Sequence, residues 1–219
     1  MAVKILFLHT DDLHFSDIVS CMGTLPAERQ AAVMRCRHES DRVQRLCASL
    51  LVQRELCSRL RCDPHTLRIA HHRYGKPYVQ NDPDLHFSIS HTKGSVMATF
   101  SECGRIGADC ELLSDAPDLV AHCFHWQEKI AYYHAPPEER AAYFTAIWTS
   151  KEAYGKCIGV GLADAVLAVN TCAGSFERHL HRFCFGGFMC TVWAQQTAAL
   201  QRIEFEEVSR NFIDLIPRE

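Results

Sequence analysis

Apolar and polar positions along the first part of the chain predict one strand, two helices and then several further strands. Residues 1–9 are mostly apolar and form a candidate first strand. A short helix is expected from Leu25 to Ala31, and a longer one from Arg42 to Leu60, where leucines recur at helical spacing. Alternating or compact apolar runs then indicate strands at 67–72, 85–89, 95–100 and 105–111.

The rest of the chain repeats this order of helices followed by strands. Residues 118–134 have a helical pattern, and Pro136 opens a longer helix that is expected to end near Ile158. Later strand candidates lie at 165–170, 181–185, 187–194 and 202–208. The repeated order predicts an α+β (α/β) fold of two similar halves related by a pseudo-twofold, each with a small sheet packed against a long helix. We place residues 1–105 in the N-terminal half and residues 106–219 in the C-terminal half.

Composition limits the classes of function that the chain can serve. Of its 219 residues 47% are hydrophobic and 22% are charged, the profile of a globular protein with a full core. The formal net charge of −3 offers no general attraction to nucleic acid or to an anionic membrane. We expect neither as a partner, and any anion-binding site must be local. The short apolar start is unlike a secretory signal and no run could span a bilayer, which favours a cytoplasmic location. The twelve cysteines include no Cys-x-x-Cys pair, so free thiols are expected.

Two short segments carry acids that could share one metal ion. Asp109 and Glu111 are spaced i and i+2 on a predicted strand, so their carboxylates face the same way, and Gly107 lets another backbone approach. Glu152 and Lys156 are spaced i and i+4 on the long helix, where a surface ion pair would be the simpler explanation. They continue an aromatic stripe that should face the interior, however, and buried charges need partners. Three carboxylates around one point would hold Mg²⁺ against phosphate oxygens. The sequence therefore predicts metal-assisted chemistry on a pyrophosphate, with Lys156 contacting the same phosphates.

Other polar residues lie where they could contact phosphate. Ser90 and His91 end a strand before a glycine-containing turn, and both can donate hydrogen bonds to an anion. Because neighbouring strand residues point to opposite faces, we do not expect these two to form a catalytic pair. Lys76 is presented by a Gly-Pro turn, which could also be an ordinary exposed turn. Arg42 and Arg45 belong to a basic cluster at the start of a helix and could face a ligand or only solvent.

Four motifs follow one another between about residue 70 and residue 162, which is roughly two fifths of the chain. The motifs are Gly75-Lys76-Pro77, Phe87-Ser88-Ile89-Ser90-His91-Thr92, Ile106-Gly107-Ala108-Asp109-Cys110-Glu111 and Trp148-x-x-Lys151-Glu152-Ala153-x-x-Lys156. In this order and spacing they resemble the 4′-phosphopantetheinyl transferase superfamily, specifically its monomeric Sfp-like type. Thr92-Lys93 departs from the family pattern, in which a serine and a small residue are more usual.

The resemblance implies a transfer reaction in a cleft between two similar halves. The phosphopantetheine arm of coenzyme A would move to a serine of an acyl or peptidyl carrier protein, with release of adenosine 3′,5′-bisphosphate. Asp109, Glu111 and Glu152 would bind Mg²⁺, and Lys156 would hold the phosphate. Glu128 is similar to a helix glutamate that helps to deprotonate the incoming serine, although Glu152 is a rival for that role.

The resemblance also implies contacts to the phosphates of coenzyme A. Lys76, Ser90 and His91 would make them, and Arg42 and Arg45 are further candidates.

Two other classes of function remain open at this point. A metal-dependent hydrolase of pyrophosphates or phosphodiesters would use the same acids and lysine. A non-catalytic module could bind coenzyme A or carrier proteins without transferring anything.

Overall fold

The computed structural model describes residues 2–215 of the chain. The N-terminal part contains one strand, three helices and then four strands. Their bounds are β1 (Val3–His9), α1 (Phe15–Ile18), α2 (Ala27–Met34), α3 (Glu39–Leu60), β2 (Ile69–His71), β3 (Pro77–Val79), β4 (His86–Thr92) and β5 (Ser95–Ser101).

The C-terminal part again begins with a strand that is followed by helices and then by strands. Its elements are β6 (Ile106–Leu112), α4 (Pro117–Cys123), α5 (Trp126–His134), α6 (Arg140–Ile158), α7 (Asp164–Leu167), α8 (Gly174–Glu177), β7 (Leu180–Phe185), β8 (Phe188–Ala194) and β9 (Ile203–Glu207). Short 3₁₀ turns lie at Val19–Thr24, Pro64–Thr66, Pro137–Glu139, Thr197–Gln201 and Arg210–Leu215.

The two larger sheets are built to one plan. One sheet has the strand order β4-β5-β1-β9 and the other β6-β8-β7, while β2 and β3 form a separate hairpin. In each sheet an antiparallel hairpin follows a long helix, and its second strand pairs antiparallel with the strand that precedes that helix. The units β1-α3-β4-β5 and β6-α6-β7-β8 therefore share one topology, and the predicted α+β fold with small sheets and long helices is confirmed.

Strand β9 leaves this plan because it returns to the first sheet, where it pairs in parallel with β1. The two sheets are therefore not separated along the chain at the junction of residues 105 and 106. The assignment of residues 1–105 and 106–219 to separate halves stays a prediction.

The core consists of layers in the order helix, sheet, sheet, helix. Leu6 and Phe87 belong to a buried cluster between the first sheet and α3. Ile5, Phe7 and Cys110 belong to a second buried cluster between the two sheets. Neighbouring residues of β1 thus face opposite layers, as the two-residue period of a strand requires. Because both faces of β1 are buried, this strand reads as an unbroken apolar run rather than an alternating one.

Two sequence-based expectations need adjustment. The helix expected at 118–134 is two helices, because His125 is extended and caps α5 through a reciprocal capping box with Glu128. The strand expected at 165–170 was wrong: the segment begins as the short helix α7, and two of its carbonyls accept hydrogen bonds from Lys151. The alternating pattern of this segment favours a strand, but its tertiary contacts stabilise a different conformation. Cysteines such as Cys36, Cys47 and Cys110 are free thiols in the described part of the chain, as expected. No helix of the described chain combines the length and the apolar character needed to cross a membrane.

Helix α6 approaches β6 without an intervening side chain at Gly107. A Cβ added there would lie 1.9 Å from the carbonyl oxygen of Ala153 and 2.4 Å from the backbone nitrogen of Cys157. Both neighbours are backbone atoms of the helix, so they cannot turn away as the end of a side chain could. The predicted close approach at Gly107 is thereby confirmed.

We predict that Gly107→Ala lowers the free energy of unfolding by about 1–3 kcal/mol or more, because the helix must move off the sheet. Urea unfolding followed by circular dichroism measures this change. Gly174→Ala is the matched control, since a Cβ there meets no atom within 4 Å. Equal stability of the two variants would contradict close packing at Gly107.

Candidate active site

Strand β4 lies beside β6, and hydroxyl groups of β4 join the two strands. Ser90 Oγ donates a hydrogen bond to Asp109 Oδ1 at 2.6 Å, and Thr92 Oγ1 donates to Glu111 Oε2 at 2.7 Å. One step earlier, Ser88 Oγ accepts a hydrogen bond from a backbone N–H of β6 at 3.0 Å. The two-residue period of β4 places all three hydroxyls on the face toward β6. We call this row of contacts between β4 and β6 the seam. It positions two of the predicted metal-binding acids.

Lys156 brings the end of α6 into the same seam. Its Nζ donates to Asp109 Oδ1 at 2.6 Å and to Ser90 Oγ at 3.1 Å. The side chain of Asp109 is 3% exposed and that of Lys156 is 29% exposed, so the ion pair has one end in the interior and one end near solvent. Burial by itself lowers the pKa of Lys156, but the carboxylates of Asp109 and Glu152 outweigh it and leave that pKa raised. Lys156 therefore keeps its positive charge.

The three acids lie close enough to influence one another. Burial raises the pKa of Glu152, and the negative charges of Asp109 and Glu111 raise it further, while Lys156 opposes them. Burial also raises the pKa of Glu111; the hydrogen bond from Thr92 acts against this change, and the charge of Asp109 adds to it. One ammonium group thus faces three carboxylates that repel one another.

The acids are not arranged as a finished metal site. Within residues 2–215, no three His, Cys, Asp or Glu side chains are placed so that they could hold a metal ion. Asp109 Oδ2 is nevertheless buried without a hydrogen-bond partner, which is costly for a carboxylate oxygen and leaves it available as a ligand. The Mg²⁺ site therefore stays a prediction, with one free and buried oxygen in its favour.

Glu128 lies elsewhere and is bonded on all sides. Its side chain is 0% exposed and forms an ion pair with Lys151 Nζ at 3.0 Å. It also accepts hydrogen bonds from the backbone N–H of His125 and from both the N–H and the hydroxyl of Thr171. A carboxylate with no solvent access and four donors cannot take a proton from an incoming serine. Glu128 is therefore a structural residue rather than a base, which corrects the prediction.

The partner of Glu128 fixes the helix that carries the site. Lys151 Nζ donates to the carbonyl oxygens of Leu167 at 2.9 Å and Val169 at 2.6 Å in addition to its ion pair. The buried pair thus joins α5, the middle of α6 and the segment after α7. Lys151 directly precedes Glu152, so these contacts hold the backbone that presents the catalytic candidate.

Lys76 makes structural contacts besides the phosphate contact that the sequence suggested, which stays a prediction. Its Nζ donates to the carbonyl oxygens of Ile106 at 2.8 Å and Lys156 at 2.6 Å, at the start of β6 and near the end of α6. Burial lowers the pKa of Lys76 to about 8; Cys157 opposes this change, and the positive charge of Arg105 adds a smaller lowering. Lys76 is therefore first a bridge between the hairpin β2-β3 and the second half, although its side chain also borders the cleft described next.

A cleft of about 600 Å³ lies between α2, α3, the β2-β3 hairpin, β4 and the end of α6. Its basic lining residues outnumber the acidic ones, since Glu28 is the acidic residue among them. The basic lining residues are Arg29, Arg35, His71, Lys76, His91 and Lys156. The charge and the size of the cleft thus suit an anionic ligand.

The predicted phosphate contacts are only partly brought together here. His91 lines the cleft, where burial and the charges of Lys156, Arg45 and Arg29 lower its pKa and Asp41 opposes them. Ser90 faces Asp109 instead and is buried in the acid cluster.

The two predicted arginines of α3 do not line the cleft. Arg42 donates to the carbonyl oxygen of Cys36, while Arg45 acts on the cleft only through its charge. Arg29 in α2 and Arg35 directly after it line the cleft and were missed, because their position depends on how α2 packs against α3. At this contact Arg29 donates to Ser49 Oγ at 2.7 Å.

Comparisons with known proteins match both parts of the chain. A family model described as 4′-phosphopantetheinyl transferase, N-terminal, matches residues 13–103, and one described as the 4′-phosphopantetheinyl transferase superfamily matches residues 105–198. The 4′-phosphopantetheinyl transferase Sfp of Bacillus subtilis (strain 168) is 28% identical over 143 residues, which cover 65% of this chain and 63% of the relative.

Two further relatives extend the comparison. The 4′-phosphopantetheinyl transferase gsp of Aneurinibacillus migulanus is 30% identical over 69% of this chain and 62% of the relative. The L-aminoadipate-semialdehyde dehydrogenase-phosphopantetheinyl transferase of Eremothecium gossypii is 37% identical over 66% of this chain and 54% of the relative. The chain thus spans about three fifths of the length of the curated relatives it matches.

We predict that Glu128→Ala lowers the free energy of unfolding by about 3–5 kcal/mol, because it leaves the Lys151 ammonium buried and unpaired. Urea unfolding measures this loss. Glu138→Ala, which removes an exposed acid, should change stability by only about 0.5 kcal/mol or less. If both variants unfold at the same urea concentration, Glu128 is not structural.

We predict that Glu152→Gln is more stable than the parent at pH 7. A carboxyl whose pKa is raised by folding binds its proton more tightly in the folded chain, so its stabilisation is complete at low pH and is lost as the pH rises above the ordinary value of 4.5. Glutamine resembles the protonated form at every pH.

The difference in unfolding free energy between Glu152→Gln and the parent should therefore shrink as the pH falls toward 4.5. Urea unfolding between these pH values tests the slope, with Glu138→Gln as a control that should show none. A difference that grows on acidification would contradict the predicted repulsion between the acids.

Proposed function

Because the chain belongs to the 4′-phosphopantetheinyl transferase superfamily, in its Sfp type, we propose that it transfers the 4′-phosphopantetheine arm of coenzyme A to a serine of an acyl or peptidyl carrier protein. The observation that carries the proposal is the position of Lys156. Its side chain lines the cationic cleft and also bonds Asp109 at 2.6 Å. The Lys156 ammonium group could therefore contact an anion in the cleft and the acid cluster at the same time.

The cleft suits the charge of coenzyme A, which carries a diphosphate and a separate ribose phosphate. Arg29, Arg35 and His91 line the part formed by α2, α3 and β4, while Lys156 lies at the end that meets the acids. We infer that the diphosphate lies toward Lys156 and that the remaining phosphate lies toward the arginines. The ammonium would stabilise negative charge on the leaving phosphate as the phosphoryl bond breaks.

The acids support a divalent cation as part of this site. Asp109, Glu111 and Glu152 would hold Mg²⁺, because their carboxylates repel one another and one buried oxygen of Asp109 has no partner. When bound, the ion supplies Lewis-acid stabilisation of charge on phosphate oxygens. The three acids would in turn be relieved of the repulsion that raises two of their pKa values.

Glu152 is our candidate for the base. The serine oxygen must attack the phosphorus that bears the pantetheine arm, its proton must leave, and the bond to adenosine 3′,5′-bisphosphate must break. A base must lie within reach of the serine hydroxyl. Glu152 is partly exposed beside the other two acids, whereas Glu128 is enclosed.

Several expectations about the setting of this reaction remain predictions. They are a cytoplasmic location, a monomeric state, and the absence of nucleic acid and membrane as partners. Which carrier protein is served also stays open.

We predict that incubation with coenzyme A and a purified apo carrier protein adds the mass of the phosphopantetheine arm to the carrier's serine, measured by mass spectrometry. Asp109→Asn and Lys156→Ala should each lower the initial rate by about 10²-fold or more, because each removes a charge at the reacting phosphates. Asp118→Asn and Lys129→Ala are matched controls on the helices α4 and α5 and should keep the parent rate.

The same reaction separates the alternatives. Cleavage of coenzyme A without a mass gain on the carrier would indicate a hydrolase. Binding of coenzyme A without either product would indicate a non-catalytic module. Transfer that persists at the full rate after removal of divalent cations would contradict the role of the acids as metal ligands.

A further inference from the structure

A second cavity lies next to the cleft and is bordered by the β2-β3 hairpin, the start of β4, Arg105 and the end of α6. Its volume is about 530 Å³, which is enough for a small organic ligand. It shares a wall with the cleft, formed by Tyr74, Lys76, Pro77, Phe87 and Gly159, and its other lining residues, among them His72, Tyr78, His86 and Arg105, do not line the cleft. The Lys76 ammonium donates hydrogen bonds to two backbone carbonyls, which hold its side chain in place in the wall shared by the two cavities; we call this side chain the strut.

The lining of the second cavity is basic, and no acidic residue of the described chain takes part in it. The basic lining residues are His72, Arg73, Lys76, His86 and Arg105. The exposed side chain of Arg105 makes no hydrogen bond or ion pair with any residue from 2 to 215. Arg105 thus brings to this cavity a positive charge that has no internal counter-ion, while Asp82 and Asp84 act on His86.

The pKa values of the groups that line the cavity also favour a bound anion. Burial lowers the pKa of His86, and the charges of Lys76 and Arg105 lower it further. The charge of Arg105 also acts against protonation of Lys76. These groups repel one another, so a bound anion would relieve the repulsion.

Aromatic rings supply a second recognition element at the same cavity. His72 and Tyr78 stack with ring centroids 4.5 Å apart and an interplanar angle of 29°. Nearby, the Arg73 guanidinium lies 5.4 Å from the centroid of the Tyr74 ring, which is 65% exposed. Flat rings next to guanidinium groups are suited to a planar base that is linked to a negatively charged phosphate.

We propose that this cavity is a second ligand site, separate from the cleft, that binds a nucleoside monophosphate. The phosphate would lie between Arg105 and His86, and the base would stack at the His72–Tyr78 pair. The site does not depend on the proposed transferase activity, because it uses another set of residues apart from the shared wall.

Calorimetric titration of the full chain with AMP tests the proposal. We expect a binding site that weakens at least tenfold in Arg105→Ala and changes less than twofold in Arg35→Ala, which alters only the cleft. Circular dichroism should show both variants folded, since both side chains are exposed. Persistence of all AMP binding in Arg105→Ala, loss of all of it in Arg35→Ala, or no binding of millimolar AMP to the parent would overturn the proposal.

A second variant tests the aromatic part. His72→Ala should weaken AMP binding while leaving the affinity for inorganic phosphate, measured by competition, within twofold of the parent value. If His72→Ala leaves AMP binding unchanged, or weakens AMP and inorganic phosphate equally, the base does not stack at this pair and the assignment of a nucleotide is overturned.

Discussion

The contact among Asp109, Lys156 and Ser90 is the interaction on which both the fold and the site depend. Each residue comes from a different element, namely β6, α6 and β4, so the contact joins the unit β1-α3-β4-β5 to the unit β6-α6-β7-β8. A carboxylate that is 3% exposed would be strongly disfavoured without a cation and a donor. The two units must therefore pack in the register that supplies both. That register also places Glu111 beside Thr92 and opens the cleft at Lys156.

Because a helix turns by about 100° per residue, α6 directs the side chains of Lys151 and Glu152 to different sides. Lys151 faces the interior and meets Glu128, whereas Glu152, one residue later, points about 100° away toward the acids. One further turn along the same face comes Lys156. Because the buried pair holds the backbone of α6 from behind, the two functional side chains are presented by a rigid segment. A rigid backbone of this kind keeps the side chains of the site close to one geometry.

The sequence predicted those site residues whose arrangement follows from short-range periodicity. The i, i+2 pair on a strand and the i, i+4 pair on a helix were read from spacing alone, and the structure brings Asp109 and Lys156 together. The partners of Lys76 and Glu128 were not predicted. Lys76 meets backbone carbonyls that are distant in sequence, whereas Glu128 meets the Lys151 ammonium as well as backbone groups such as the N–H of Thr171. Every sequence offers backbone groups at every position. No pattern of residue types can reveal which of them a side chain will meet.

Lys76 connects the two cavities energetically as well as spatially. Its pKa of about 8 lies near neutrality, so loss of its proton is within reach of ordinary conditions. An anion on either side of the strut would favour the charged form, which is the form that donates most strongly to the carbonyls of Ile106 and Lys156. Those carbonyls mark the start of β6 and the last turn of α6, the two elements that carry the acids and Lys156.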